Sequence, residues 1–168
     1  MTKKEICIIA LLAVLIIGAF VAAACIRGNR QPERIIGEFS PPAFAQNTFD
    51  GAPAPAEVDT LPYGTLTLSE DISLSMVSTL IVDENGVVDI WLTAPDTNKG
   101  WVALRLMDEQ GNILGESGVL KPGQYIRSMQ LENVPQQAGI VLAKILTYEP
   151  EPWYSMGSAS AQLAFELK

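Results

Sequence analysis

The sequence contains no histidine, and its two cysteines, Cys7 and Cys25, both lie in one apolar run near the N-terminus. The chain downstream of that run therefore lacks cysteine–histidine nucleophile pairs, the usual zinc ligands and an internal disulfide. This excludes cysteine- or histidine-dependent catalysis there, and no other set of residues specifies a reaction. We expect a protein that is not an enzyme and that has no metal or cofactor.

Positive charge is also scarce, with 11 basic against 19 acidic residues and a net charge of −8. Five basic and two acidic residues give residues 1–34 a net +3, so residues 35–168 carry −11. An acidic domain repels nucleic-acid phosphates and anionic lipid head groups. We therefore expect no nucleic-acid partner, and a domain that stands off the bilayer.

Residues 6–26 form one uncharged apolar run after a basic head, residues 1–5. At about 1.5 Å per residue, a helix of this length spans about 30 Å of hydrocarbon. The run predicts a transmembrane signal anchor, because it exceeds the apolar core of an ordinary signal peptide. Two alternatives stay open. Ala22-Ala23-Ala24-Cys25 resembles a lipobox, which makes Cys25 a candidate lipidation site, and cleavage at the small residues would release the protein.

All three interpretations place the downstream chain on the outer side of the membrane. Charge alone does not decide between the two membrane orientations, because three arginines follow the run while two lysines and the amino terminus precede it. We expect a single-pass protein of the cell membrane with an extracytoplasmic C-terminal domain. The inverted topology is the alternative.

Residues 27–62 contain six prolines and no sustained period of 2 or 3.6, which predicts a stalk that does not fold alone. Phe39, Phe44 and Phe49 recur in it at five-residue intervals. One interpretation is that one or two of them pack against the domain edge. The other is a short linear docking motif for another envelope protein.

Residues 63–168 alternate between apolar and polar positions, as strands with one buried face do. Turn signals separate the strands at regular intervals. The residues that carry these signals are Asn85, Gly86, Gly111, Pro122 and Gly123. Seven or eight short strands without a helix predict an immunoglobulin- or fibronectin-like antiparallel β-sandwich of about seven strands.

The turn-strand-turn string of residues 108–123, Ile126 and the closing apolar strand carry a resemblance. They resemble the C-terminal immunoglobulin-like module of uncharacterised small single-pass, or lipoprotein-like, surface proteins of Gram-positive gut bacteria. The resemblance covers residues 76–168 and implies a fold and a surface location, but no catalytic residues. Ile140-Val141 departs from the pattern, since a Gly-Tyr step would be expected there.

Three groups of residues invite a functional interpretation. Acidic residues near Asp83 and Asp108 resemble calcium ligands, but they lack the spacing of a calcium loop and predict solvated turns instead. Trp153 and Tyr154, on a proline-flanked loop, form the best candidate binding loop, with capping of the core as the alternative. A third group, considered as glycosidase carboxylates, is Glu149, Glu151 and Glu166.

Two functions follow. The leading one is a non-enzymatic interaction or structural module of the cell envelope, which contacts another envelope or surface protein, for example through an exposed strand edge. The alternative is a small-ligand domain that binds carbohydrate through Trp153, Tyr154 and a neighbouring loop. Carbohydrate binding requires at least two coplanar exposed aromatic rings beside polar donors.

Overall fold

The structure is a computed structural model that describes residues 40–168, of which residues 41–168 form one compact unit. The predicted transmembrane run, Cys25 and Phe39 lie outside the described residues. Within residues 40–168, no helix has the length and apolar character needed to cross a membrane.

The described residues form ten strands and one helical turn. In chain order these are β1 (Phe49–Asp50), α1 (Pro55–Val58), β2 (Tyr63–Ser69), β3 (Ile72–Val77), β4 (Thr79–Val82), β5 (Val87–Ala94), β6 (Trp101–Met107), β7 (Ile113–Leu120), β8 (Gln124–Gln130), β9 (Gly139–Tyr148) and β10 (Ser155–Leu167). The prediction of an all-β fold is confirmed.

The strands follow one another in the order β1-β8-β5-β4-β10-β9-β6-β7, and the β2–β3 hairpin joins β5 through β3. In this curled sheet β4 joins the two groups of strands, because it pairs with β5 along one edge and with β10 along the other. The β4–β10 pair is parallel, whereas the other strand pairs are antiparallel. The described sheet is therefore mixed, which corrects the prediction of a purely antiparallel one.

Alternating side chains fill the inside of the curl. In β9, Val141, Ala143 and Ile145 are buried, and the residues between them are half-buried on the opposite face. In β10 only Leu163 and Phe165 are buried. One continuous apolar core joins strands β3 to β10. Its largest members, each less than 2% exposed, are Leu74, Leu80, Ile90, Leu92, Leu104, Leu106, Leu120, Ile126, Ile145 and Phe165.

The sequence pattern predicts one strand over residues 72–82, but the structure divides it at Ser78. The Ser78 N–H donates to the Pro62 carbonyl at 2.9 Å, and the Ser78 carbonyl accepts from the Ala164 N–H at 3.1 Å. At this residue the chain leaves β2 and joins β10, while β4 continues to pair with β5. Periodicity does not reveal such an exchange, because the apolar residues on its two sides, Ile72, Leu74 and Met76 before it and Leu80 and Val82 after it, keep the same period-2 phase.

Residues 43–51, which we call the strap, pack on the sheet although the sequence assigns them to the stalk. The Ala45 N–H donates to the Val119 carbonyl and the Val119 N–H to the Ala43 carbonyl, both at 2.9 Å. Further along, β1 pairs with the start of β8. The strap therefore crosses the turn between β7 and β8 and contacts a strand on either side of it. The helical turn α1, also upstream of residue 63, departs from the helix-free prediction.

Candidate functional site

The predicted turn glycines adopt the left-handed conformation that glycine allows. Gly86, Gly111 and Gly123 have φ values of 76°, 87° and 77°. The two Asp-x-x-Gly turns are alike, since the glycine N–H donates to the carbonyl of Asp83 in one and of Asp108 in the other. In the third turn the Gln124 N–H donates to the Lys121 carbonyl at 3.2 Å, and Pro122 and Gly123 lie between these two residues.

The aspartates of these turns use their carboxylates to hold the turn itself. Asp83 accepts the N–H groups of Asn85 at 2.9 Å and Val87 at 2.8 Å. Asp108 accepts both the backbone N–H and the side-chain amide of Asn112, each at 2.7 Å. Within residues 40–168, no group of three or more acidic residues or cysteines is placed to hold a metal ion. The arrangement supports the interpretation of both clusters as solvated turns.

These hydrogen bonds lower the pKa of each aspartate below 3.8 in the folded chain. For Asp83 the main cause is the Val87 N–H, and for Asp108 it is the side-chain amide of Asn112. A carboxylate whose pKa is lower in the folded than in the unfolded state stabilises the fold above the unfolded pKa. That stability is lost as the pH falls through the folded pKa.

We therefore expect Asp108→Asn to be less stable than the native chain at pH 7, and the difference to shrink towards zero as the pH falls below 3.8. Urea unfolding of the full chain in detergent micelles, followed by tryptophan fluorescence at several pH values, measures this. Glu109→Gln is the matched control, since Glu109 is exposed and takes no part in the two carboxylate bonds of the turn. A constant difference across the pH range would contradict the assignment.

The two residues of the predicted binding loop have different environments. Tyr154 is 66% exposed. Trp153 is half-buried in a cluster that we call the aromatic end, made of Phe44, Trp101, Tyr148 and Trp153. Its ring centroid lies 4.6 Å from that of Trp101 and 5.4 Å from that of Phe44. Trp153 thus packs the strap against β6, while Tyr154 faces solvent.

The rings of the aromatic end are inclined to one another rather than coplanar. Trp153 makes interplanar angles of 75° with Trp101 and 55° with Phe44. The Lys121 ammonium lies 4.8 Å from the centre of the Phe44 ring. Edge-to-face packing of this kind uses the ring faces that a sugar would stack on. The geometry is that of a packing cluster and not of a flat stacking platform.

A second aromatic group, which the sequence pattern did not indicate, lies where the strap meets β8. Phe49 stacks on the buried Tyr125 at 5.1 Å, and the Tyr125 ring is nearly parallel to that of Trp91, with ring centroids 6.5 Å apart. The Arg127 guanidinium lies over both Phe49 and Trp91, and it also pairs with Glu57. Period-2 alternation in β5 and β8 could have placed Trp91 and Tyr125 on strands, but it does not show that these two strands pair or that the strap brings Phe49 onto Tyr125.

The three carboxylates considered for glycoside hydrolysis do not converge. Glu149 and Glu151 precede β10, whereas Glu166 lies near its end. Ser155 and Glu166 are eleven residues apart along a strand, which corresponds to about 35 Å. The paired carboxylates of glycosidases lie within roughly 5–10 Å of each other. Glu166 therefore cannot pair with the other two.

A groove of about 610 Å³ lies between the first residues of the strap and strands β6 to β8. Arg105 and Glu116 on its wall form an ion pair with each other. The volume is within the roughly 300–1,000 Å³ of small-molecule sites. The groove therefore has room for a small ligand beside the aromatic end.

Within residues 40–168, one unpaired part of the sheet lies along one edge of β10. Residues 164–167 pair with β4, and residues 155–165 pair with β9 on the other side. The opposite edge of residues 157–163 has no partner in this part of the chain, and we call it the open edge. It contains no charged residue and no proline.

The backbone of β10 shows which groups face the open edge. The N–H groups of Ala164 and Lys168 donate towards β4, at 3.1 Å and 2.9 Å. Residues two apart in a strand direct their N–H and C=O groups to the same side. The N–H and C=O groups of Ser158, Ser160 and Gln162 therefore point out of the open edge.

No protein-family model matches the chain, and no curated protein matches it. The function is therefore inferred from the described surface and from the sequence pattern of residues 1–39.

Proposed function

We propose that the protein is a membrane-anchored, non-enzymatic interaction module of the bacterial cell envelope. In this proposal residues 6–26 hold the chain in the membrane as a signal anchor, and the β-domain lies outside the cytoplasm. The domain meets another protein by pairing a strand with the open edge of β10. The resemblance to small surface proteins of Gram-positive gut bacteria supports the same location.

The open edge is the observation that carries this proposal. Soluble proteins protect exposed strand edges with charges, prolines or bulges, because an unprotected edge pairs with other chains. β10 has a bulge between Ser155 and Gly157, but nothing of the kind over residues 157–163. An edge left in this state is suited to receive a strand from a partner.

We also propose that the curled sheet is organised as an immunoglobulin-like sandwich. Such a fold has strands A, B and E in one sheet and strands C, F and G in the other. The order β3-β5-β8 corresponds to the first set, and β6-β9-β10 corresponds to the second. β7 extends the second sheet next to β6, and β4 joins the two at one side.

The carbohydrate-binding alternative has less support. Of the two predicted binding residues only Tyr154 is largely exposed, and the rings around Trp153 are mutually inclined. The groove of about 610 Å³ beside the aromatic end is the one feature in its favour. Titration of the full chain with soluble envelope oligosaccharides, followed by tryptophan fluorescence, tests it. A saturable change that Tyr154→Ala abolishes would establish this alternative.

Crosslinking in the native membrane tests the leading proposal. A photoreactive crosslinker attached to Ser160→Cys should capture a protein, because this residue lies at the centre of the open edge. The same reagent on Ser128→Cys, an exposed serine of β8, is the matched control. Capture from position 160 and not from position 128 is the expected result. Equal capture from both positions would contradict the proposal.

Protease treatment of whole cells tests the membrane orientation. The β-domain should be digested together with known surface proteins, since the proposal places it outside. A domain that stays intact under those conditions would lie in the cytoplasm and would overturn the proposed location.

A further inference from the structure

We infer that the partner at the open edge is a second copy of this chain, so that two β10 strands pair antiparallel around a twofold axis at Ser160. The inference rests on the proposed function, because it names the partner of the same edge. It would join the β10-β9-β6-β7 parts of two domains into one continuous sheet.

The ends of the open edge fix this register. The bulge between Ser155 and Gly157 turns the chain at one end, and β4 begins to pair at Ala164 at the other. The free stretch of residues 157–163 has Ser160 at its midpoint. Antiparallel pairing about Ser160 keeps the partner strand clear of β4 and of both bulges. A shift in either direction would drive it into one of them.

The backbone of the open edge matches this symmetry. Ser160 faces its own copy, and Ser158 faces Gln162 of the second copy. The N–H and C=O groups of all three residues point outwards, so each facing pair exchanges two hydrogen bonds. The interface thus contains about six backbone hydrogen bonds across the axis. No side-chain charge lies among the paired residues.

Charge also favours the open edge as the place where two copies meet. Residues 35–168 carry a net −11, so two domains repel each other over most of their surface. In β9, Lys144 is paired with Ser160. In the dimer the two Lys144 residues would be separated by three strand spacings, about 14 Å. This exceeds the screening length of about 8–10 Å at ordinary salt concentrations.

The side chains at the edge are small enough for close pairing. Ser158, Ser160 and Gln162 are exposed on the outer face of the sheet. Ala159 and Ala161 are half-buried on the inner face, where a second strand would cover them. Antiparallel pairing about Ser160 places Ala159 opposite Ala161 of the second copy.

Disulfide crosslinking of the full chain in membranes tests the inference. Residues that face each other in a hydrogen-bonded antiparallel pair have Cα atoms about 5.5 Å apart, which a disulfide can bridge. Ser160→Cys should therefore give an oxidised product of twice the monomer mass. Ser128→Cys is the matched control, and the native chain, with Cys7 and Cys25 in its apolar run, gives the background.

Two further variants separate pairing from folding. Ser160→Pro removes an N–H that faces the open edge and not β9, so the domain should stay folded while dimerisation weakens roughly tenfold or more. Ser160→Lys places two ammonium groups opposite each other and should also give a monomer. Light scattering of the detergent-solubilised full chain measures the mass, and tryptophan fluorescence checks the fold.

The outcomes are distinct. A dimer product specific to position 160, together with monomeric Ser160→Pro and Ser160→Lys chains, supports the inference. A product at position 160 that contains a different protein overturns the second copy as partner and leaves the proposed function standing. Failure to capture anything from position 160, by disulfide or by photoreactive crosslinker, overturns both.

Discussion

Phe165→Ala is expected to lower the free energy of unfolding by roughly 3–5 kcal/mol, the cost of removing a large aromatic ring from a packed core. Phe165 is 1% exposed and is among the largest fully buried side chains in the described residues. It lies in the part of β10 that pairs with β9 on one side and β4 on the other. The cavity would therefore lie where β10 is paired with both β9 and β4. Urea unfolding of the full chain in detergent micelles, followed by tryptophan fluorescence, measures the change.

Leu167→Ala provides the control for this variant. Leu167 belongs to the same strand and also pairs with β4, but it is 44% exposed. Its truncation should cost within about 0.5 kcal/mol, as surface substitutions usually do. Equal destabilisation by the two variants would contradict the placement of Phe165 inside the sheet.

Gly118→Ala is expected to cost roughly 2–5 kcal/mol and to detach the strap from β7. Gly118 has a φ of 71°, and a Cβ there would lie 2.7 Å from the Cα and backbone nitrogen of Ala45. Backbone atoms at this distance have to move. Movement of Ala45 breaks the hydrogen bond from its N–H to the Val119 carbonyl and withdraws Phe44 from the tryptophans. The unfolding free energy and the hydrogen-exchange rate of the Ala45 amide report the two effects.

Gly111→Ala is the control that measures the cost of the left-handed conformation without the steric clash present at Gly118. Gly111 has a φ of 87°, but the nearest atom to its Cβ position is the Met107 methyl carbon, 4.0 Å away. This variant should show only the cost of the left-handed conformation, roughly 1–2 kcal/mol, and should keep the Ala45 amide protected. If Gly118→Ala is no more destabilising than Gly111→Ala, and its Ala45 amide stays protected, the strap does not hold the position described.

The strands and turns downstream of residue 63 follow from local patterns. Alternation in β10 predicts that Leu163 and Phe165 share the buried face, and the Asp-x-x-Gly and Pro-Gly strings place the turns between strands. These features depend on neighbours within about ten residues, so they can be predicted from the chain alone.

Long-range pairing could not be predicted in the same way. The exchange of β2 for β10 at Ser78 depends on a strand more than 80 residues downstream. The local sequence pattern does not indicate the strap, because it lies in a proline-rich segment and only two of its residues form a strand. Its hydrogen-bond partners belong to β7, to β8 and to the turn between them. The loop of Trp153 and Tyr154 could be located from the sequence. Which of the two is packed and which is exposed could not, because the packing of Trp153 depends on Phe44 and Trp101.

Hydrogen exchange in β10 of the full chain in native membranes, resolved by residue with solid-state NMR, tests most directly whether the open edge binds a partner strand. The amides of Ala159 and Ala161 face β9 and should exchange slowly whether or not a partner is bound. Those of Ser158, Ser160 and Gln162 should also exchange slowly in the membrane, and they should exchange rapidly in the Ser160→Lys chain, in which pairing at the open edge is blocked. Rapid exchange of these three amides in the intact membrane would show that the edge stays exposed to water, and it would contradict the account.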